Sequence, residues 1–497
     1  MLTTFLNPTV WLLAALAAVS AVGIRRRWTA RRSFEIFLHA ATRLPVLIAV
    51  GALALGGAAS RLVLGYAAPG AYAEEVLAAR TFLSERRVYG ADDRAEFTRW
   101  IASDPGFGAQ WLLSGVSACQ AGAAAERPHF YSAQAHSPVL LLGAVPVVAA
   151  AGERGLYVVL SLASLLAVAA IAVALGARAG IPRRSRAGVL LVAALLGWQP
   201  VLAALRQGDA VLLTAGLVAV SWLAATRAHP RAGGAALGLA AAAYPPLMLG
   251  LPACLRRAPG VSVAAAVASA AVVLGTLAAA GPMVARDFAV GAHATAVLYA
   301  AAPSNYAMSG RVLASGVAIP VGLLVFAAFT AAAAGWLGRD LDRVLGAAAL
   351  TAILASPVAW SQHLALSIVA VAVTLGAALC RERPHQLGGW ALLTLAISLP
   401  DAGVVAVHQA LAAAAGRTSP VALPSLALLA FALWLMIPSS RVSIARVVTG
   451  STPPGRAARM VGAPDPLRYS VCGSPRCDVP GTTVAPCGLR HQVQIPA

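Results

Sequence analysis

The sequence predicts an all-α polytopic membrane protein, a bundle of about thirteen transmembrane helices with two structured extracytoplasmic loops. Three observations carry that prediction. The 497 residues are 59% hydrophobic and only 11% charged, with a mean hydropathy of +0.78, and a single soluble core stops growing well below this size. Apolar runs of roughly 17–25 residues recur along the chain, each long enough to cross ~30 Å of hydrocarbon. The 37 basic side chains are all arginine and gather in short clusters between those runs, as expected where positive loops stay in the cytoplasm. A β-barrel would show short alternating strands instead. The net charge of +19 therefore speaks to orientation and not to a nucleic-acid partner.

The first apolar run, 9–24, is followed by "RRRWTARR" (25–32). A signal peptide carries its charge before the apolar stretch, so this order predicts a retained span with the N-terminus outside. A second span, 44–64, leads outward into the polar segment 65–136. That segment holds Glu74, Glu75, Glu85, Asp92, Asp93, Glu96, Asp104 and Glu126, a large share of the 18 acidic residues. Within it Val76, Ala79, Phe82 and Leu83 are spaced as on one helical face, which predicts a helix lying at the outer membrane surface. Spans follow at 137–151, 155–177, 187–204, 210–226, 233–253 and 260–281. A second external loop, 281–310, precedes spans at 312–336, 343–360, 364–380, 388–412 and 420–438. The tail, 441–497, is rich in Pro, Gly, Ser and Arg and reads as a disordered cytoplasmic segment.

With this order the basic clusters "LRRAP", "GRDLDR" and "RERPH" fall inside, and both polar loops fall outside together with "WSQH" (360–363). One cluster, "RAGIPRRSRAG" (178–188), falls outside against the rule. Six cysteines give little: Cys472, Cys477 and Cys487, with His491, do not have the spacing of a usual zinc finger.

Three constellations could carry chemistry, all on the predicted outer face. Glu74 and Glu75 follow the second span and read either as a solvated acidic surface or as a general base or metal ligand at the membrane edge. "PSNYAMSGR" (303–311) offers Asn305 and Tyr306 as donors and acceptors, and Arg311 as a phosphate contact; its plainer reading is a turn. "SPVAWSQHLAL" (356–366) sets Trp360, Gln362 and His363 behind the break at Pro357, and polar side chains at membrane depth are functional suspects. A fourth polar break, "WQPVLAALRQGDAVLL" (198–213), falls on the cytoplasmic side, where Arg206 and Asp209 read as a paired hairpin. No P-loop, GxGxxG, HExxH or GxSxG pattern occurs, which removes the corresponding ATPase, dehydrogenase, zinc-protease and α/β-hydrolase readings.

In this order "AYAEEVLAARTFLSERRVYG", "AHSPVLLLGAVP", "RQGDAVLL", "NYAMSGRVLA" and "SPVAWSQHLAL" resemble the motifs of the polyprenol-phosphate-mannose-dependent α-mannosyltransferases of the GT-C superfamily. "SPxxWxxH" is the most specific of the five, and the likeness runs over roughly residues 44 to 380. The family's catalytic Asp aligns with Ala71, one helical turn before Glu74 and Glu75. The first His of its HH pair is Gln362, its GQxN Asn is Ala210 beside Asp209, and its NQS Ser is Ala307.

The resemblance implies an extra N-terminal helix and basic loop at 1–43, a GT-C-like catalytic module at 44–310, C-terminal transmembrane helices at 311–440 and the tail at 441–497. It implies an inverting transfer of mannose from a polyprenyl-phosphate sugar to a cell-envelope glycolipid or polysaccharide, at the extracytoplasmic face of the cell membrane. Glu74 or Glu75 would be the base, His363 and Arg311 would contact phosphate, Asn305 the sugar, and Trp360 and Gln362 would line the substrate site. No cofactor is implied beyond the lipid-linked donor, and a metal requirement stays open. A lipid-linked arabinofuranose donor and a non-catalytic envelope scaffold stand as alternatives.

Overall fold

The computed structural model describes residues 7–67, 71–85, 88, 136–182, 184–255, 258–299, 305–309, 340–356, 358–380, 383–399 and 423–436. Among them no strand occurs, and helix follows helix with short connections. In chain order these are α1 (Pro8–Arg26), α2 (Ala30–Ala41), α3 (Leu44–Ala67), α4 (Tyr72–Glu85), α5 (Pro138–Ala179), α6 (Arg186–Leu196), α7 (Gln199–Gln207) and α8 (Val211–Thr226). Then come α9 (Pro230–Ala243), α10 (Leu251–Leu255), α11 (Pro259–Ala280), α12 (Met283–Tyr299), α13 (Leu341–Ala355), α14 (Ile368–Cys380), α15 (Pro384–Ile397) and α16 (Leu423–Met436). Two 3₁₀ stretches, Pro245–Gly250 and Ser361–Ser367, lead into α10 and α14.

Among the described residues five helical stretches are long and apolar enough to cross a bilayer: α1, α3, α5, α11 and Ser361–Cys380. The pair α6 and α7, bent by 54°, makes a sixth if taken as one span. The described residues are thus nearly all helical and belong to a membrane-embedded protein. The expected span at 312–336, the end of 388–412 and the tail lie outside the described residues, as does most of the first polar loop.

Side-chain contacts sort the helix ends into two groups. Arg178, in the last turn of α5, pairs with Asp342 in the first turn of α13. The Arg178 guanidinium also lies 5.3 Å from the Trp222 ring centroid near the end of α8, and the Trp222 indole N–H donates to Asp342 Oδ1 at 2.8 Å. α13 and α14 are joined through 356–367, so α14 returns to the same end, where α15 begins. Gly23 of α1 approaches Pro384 of α15, and Gly388 approaches Ser20, so these two helices run antiparallel. The end of α1, with Arg25, Arg26 and Arg27, thus belongs to this arginine-rich end as well.

At the opposite end α4 starts beside the end of α7, where the Ala71 N–H donates to Gln207 Oε1 at 3.0 Å. The start of α5 meets the end of α9, where the Ser137 hydroxyl donates to the Ala242 carbonyl at 2.7 Å. The connection between α13 and α14 joins them, because Gln362 Nε2 donates to Asp209 Oδ2 at 3.2 Å.

Two expected crossings therefore change. The run 137–151 does not cross. α5 breaks at Gly152 (φ 69°, ψ −171°), and its first part stays beside α4, where Ala144 and Val148 pack on Tyr72, Val76 and Leu77. A reversal of that kind needs a residue without Cβ. The run 233–253 is broken as well. Gly234 and Gly238 of α9 lie against Val261 and Ala265 of α11, respectively, so those helices run parallel. The stretch between them must lead back, and Gly250 passes against Ala348 of α13 on the way. One crossing is lost and one gained. "RAGIPRRSRAG" thereby joins the other arginines, and the expected exception to the charge rule disappears. The polar break at Asp209 moves the other way, to the end that carries His363.

Two local expectations change with it. α4 does form over the predicted stretch, but its apolar face, with Val76 and Ala79 fully buried, packs on protein and leaves Leu83 exposed. The loop 281–310 is helical over α12.

Candidate functional site

α4 puts Glu75 on the face it buries. Tyr72, Val76 and Ala79 are each 0% exposed and Glu75 is 2% exposed, as positions three to four apart share one side of a helix. A carboxylate withdrawn from water needs a partner. It finds one in His136, whose Nδ1 lies 2.8 Å from Glu75 Oε1. His136 sits one residue before Ser137, the N-cap of α5, so its position is tied to a helix start. The other carboxylate oxygen, Glu75 Oε2, is buried and has no hydrogen-bond partner among the described residues. Beneath this pair, burial and then the neighbouring Tyr157 hold the Tyr72 hydroxyl well above the usual phenol range, so it stays protonated.

The second half of the site comes from the connection between α13 and α14. After Ala355 the chain leaves the helix, and the Ser356 hydroxyl bonds back to the Val358 carbonyl at 2.7 Å. The chain then turns into the 3₁₀ stretch Ser361–Ser367. The Trp360 N–H donates to His363 Nδ1 at 3.0 Å. With Nδ1 accepting, the neutral ring carries its proton on Nε2 and presents a donor there. The Tyr244 ring, at the end of α9, lies 5.6 Å from the His363 ring centroid to centroid. Asp209 is 4% exposed; its Oδ1 accepts from the Val211 N–H at 2.9 Å and its Oδ2 from Gln362. It forms no ion pair with Arg206 among the described residues, so the expected hairpin pairing does not occur.

A third strand of chain, 305–309, is pinned across this connection. Asn305 Oδ1 accepts from the N–H groups of both Ala307 and Ala359, each at 3.0 Å. The Tyr306 N–H donates to the Ala359 carbonyl at 2.7 Å, the Tyr306 carbonyl accepts from the Ser425 hydroxyl at 2.8 Å, and the Ser309 hydroxyl donates to the Ser356 carbonyl.

The structure thus gathers Glu75, Asn305, Trp360, Gln362 and His363 at one end of the bundle. Two of the sequence-derived roles read differently once the bonds are known. Asn305 Oδ1 holds backbone, and the Gln362 amide holds Asp209. Trp360 is half-buried and supplies the N–H that fixes the His363 tautomer. Glu74 belongs to α4, but its side chain lies outside the described residues, as does Arg311. Sequence reasoning did not assign His136 or Tyr244 and set Asp209 aside. Asp209 carried a signal: it is the only carboxylate between Glu153 and Asp287, and a lone acid in so apolar a stretch is a suspect on cost alone. No family model, curated protein or solved structure matches the chain.

Proposed function

We propose that this chain is a membrane glycosyltransferase. It moves a mannosyl residue, with inversion, from a polyprenyl-phosphate sugar to a cell-envelope glycolipid or polysaccharide acceptor. The observation that carries this reading is the buried Glu75 carboxylate. One oxygen is steadied by His136 and the other, Oε2, is left for a proton donor. A buried acceptor without a partner costs about 1–3 kcal/mol, a cost recovered when a substrate hydroxyl donates to it.

In the reaction the acceptor oxygen attacks the anomeric carbon from the face opposite the phosphate. The new C–O bond forms as the bond from that carbon to the phosphate oxygen breaks. The hydroxyl proton goes to Glu75, a contribution of roughly 10²–10⁴-fold for a positioned base. The electron pair leaves with the lipid phosphate, and the His363 Nε2–H supplies a donor to the departing oxygen. Arginines at the far end of the bundle favour that end in the cytoplasm and this one outside. A lipid-linked donor suits such a site, since its tail stays in the bilayer.

The test is transfer of radiolabelled mannose from polyprenyl-phosphate mannose in membranes carrying the protein. Glu75→Gln is expected to lower turnover at least a hundredfold, and Glu74→Gln to retain most of it. Transfer by the unmutated protein that survives Glu75→Gln would take the base role from Glu75. No transfer at all, with the protein present and folded, would point to a lipid-linked arabinofuranose donor or to a non-catalytic envelope scaffold.

A further inference from the structure

At the arginine-rich end, α2 lies between two helices long enough to cross a bilayer. α1 ends at Arg26 and α3 begins at Leu44, so α2 is held by short connections at the depth where hydrocarbon gives way to headgroups. Its neighbours mark that depth. Val22 and Ile24 of α1 and Leu44, Val46 and Ile48 of α3 are exposed, apolar surface of the kind that lipid covers. α2 itself is two-sided. Ala30, Ser33 and Ala41 are buried, with Phe34, Phe37 and Leu38 half-buried beside them.

The opposite side is an open groove lined by Arg32, Glu35, Ile36, His39, Ala40 and Arg43. Arg32, Glu35, Ile36, His39 and Ala40 are three or four apart in alternation and share one face of α2, and Arg43 follows just past its end. The stripe has a cation at each end, a histidine between them, and Ile36 and Ala40 as its apolar floor. Glu35, the single carboxylate between residues 25 and 43, is taken by Arg31, whose Nε lies 2.9 Å from Glu35 Oε1. Among the described residues no carboxylate pairs with Arg25, Arg26, Arg27, Arg32 or Arg43.

We infer that this groove binds the phosphate headgroup of an anionic phospholipid. Arg32 and Arg43 contact the headgroup oxygens from the two ends, and Ile36 and Ala40 lie along the first methylenes. Charge, depth and an apolar floor between cations together select a lipid over a soluble anion: a basic stripe alone would attract either, but only a lipid also covers Ile36 and the exposed collar of α1 and α3.

The test uses the full chain, purified in a neutral detergent and titrated with phosphatidylglycerol or phosphatidylcholine, with retained lipid followed by native mass spectrometry. Phosphatidylglycerol is expected to be retained in preference. Arg32→Gln/Arg43→Gln is expected to weaken its retention about thirtyfold at low salt, the equivalent of ~1 kcal/mol for each of two arginines. Both side chains are exposed, so an unchanged unfolding midpoint certifies the variant's fold. The control is Arg227→Gln/Arg231→Gln, at the same end, just past α8 and in the first turn of α9. Equal loss in the control would reduce the effect to diffuse charge and overturn the site. Equal retention of phosphatidylcholine would overturn it too. Millimolar inorganic phosphate that displaced the phosphatidylglycerol would reassign the groove to a soluble anion.

Discussion

At the scale of single residues, the candidate site consists of two buried carboxylates, each already holding a protein partner, and two histidines with defined roles. Glu75 is oriented by His136, Asp209 by Val211 and Gln362, and His363 by the backbone of Trp360. The His363 bond has a testable edge. His363→Ala removes both the Nε2 donor and the acceptor for the Trp360 N–H, so transfer is expected to fall at least tenfold while the protein still inserts. A His363→Ala protein as active as the parent would end the phosphate-contact role. Part of this was readable from the residues, because the Trp-x-x-His spacing at a span end stands out from an apolar background. The pairing of Glu75 with His136 was not readable. The partners lie on opposite sides of a polar stretch of some sixty residues, and nothing local to either names the other.

At the scale of elements, the breaks decide more than the helices do. Apolar runs told where helices lie, and most bounds agree to within a few residues. Length alone did not tell which runs cross, because 137–151 has the composition of a span and ends at a glycine that turns the chain aside. Similarly, 233–253 is apolar throughout, and its break sits at Tyr244–Pro245–Pro246, where the first proline costs the helix a hydrogen bond. The turn at Gly152 can be tested directly. An ideal Cβ there would meet no atom within 4 Å, so any penalty for Gly152→Ala comes from backbone conformation and not from a clash. We expect a loss of roughly 1–3 kcal/mol, read as a lower unfolding midpoint in detergent. An alanine variant as stable as the parent would show that the turn is not held.

At the scale of the whole molecule, the two ends differ in chemistry and are held by different means. The arginine-rich end is tied by Arg178, Asp342 and Trp222, which join α5, α8 and α13 through an ion pair, an indole hydrogen bond and a ring contact. Asp342→Ala is expected to lower stability by roughly 1–3 kcal/mol, because it strips the half-buried Arg178 and the buried Trp222 indole N–H of their acceptor at once; an unchanged midpoint would mean that water replaces it fully. At the other end the anchor is Tyr157. Its hydroxyl lies 3.0 Å from the Leu62 carbonyl and 2.8 Å from that of Leu205, and its ring centroid is 5.0 Å from that of Tyr72. Gly208, held at φ 64°, approaches the same ring so closely that a Cβ there would collide with it. Tyr72 opens the helix that carries Glu75, and Gly208 immediately precedes Asp209. One phenol ring thus acts as the spacer between the chain segments bearing the two acids, so their separation is gauged by a side chain that carries neither of them.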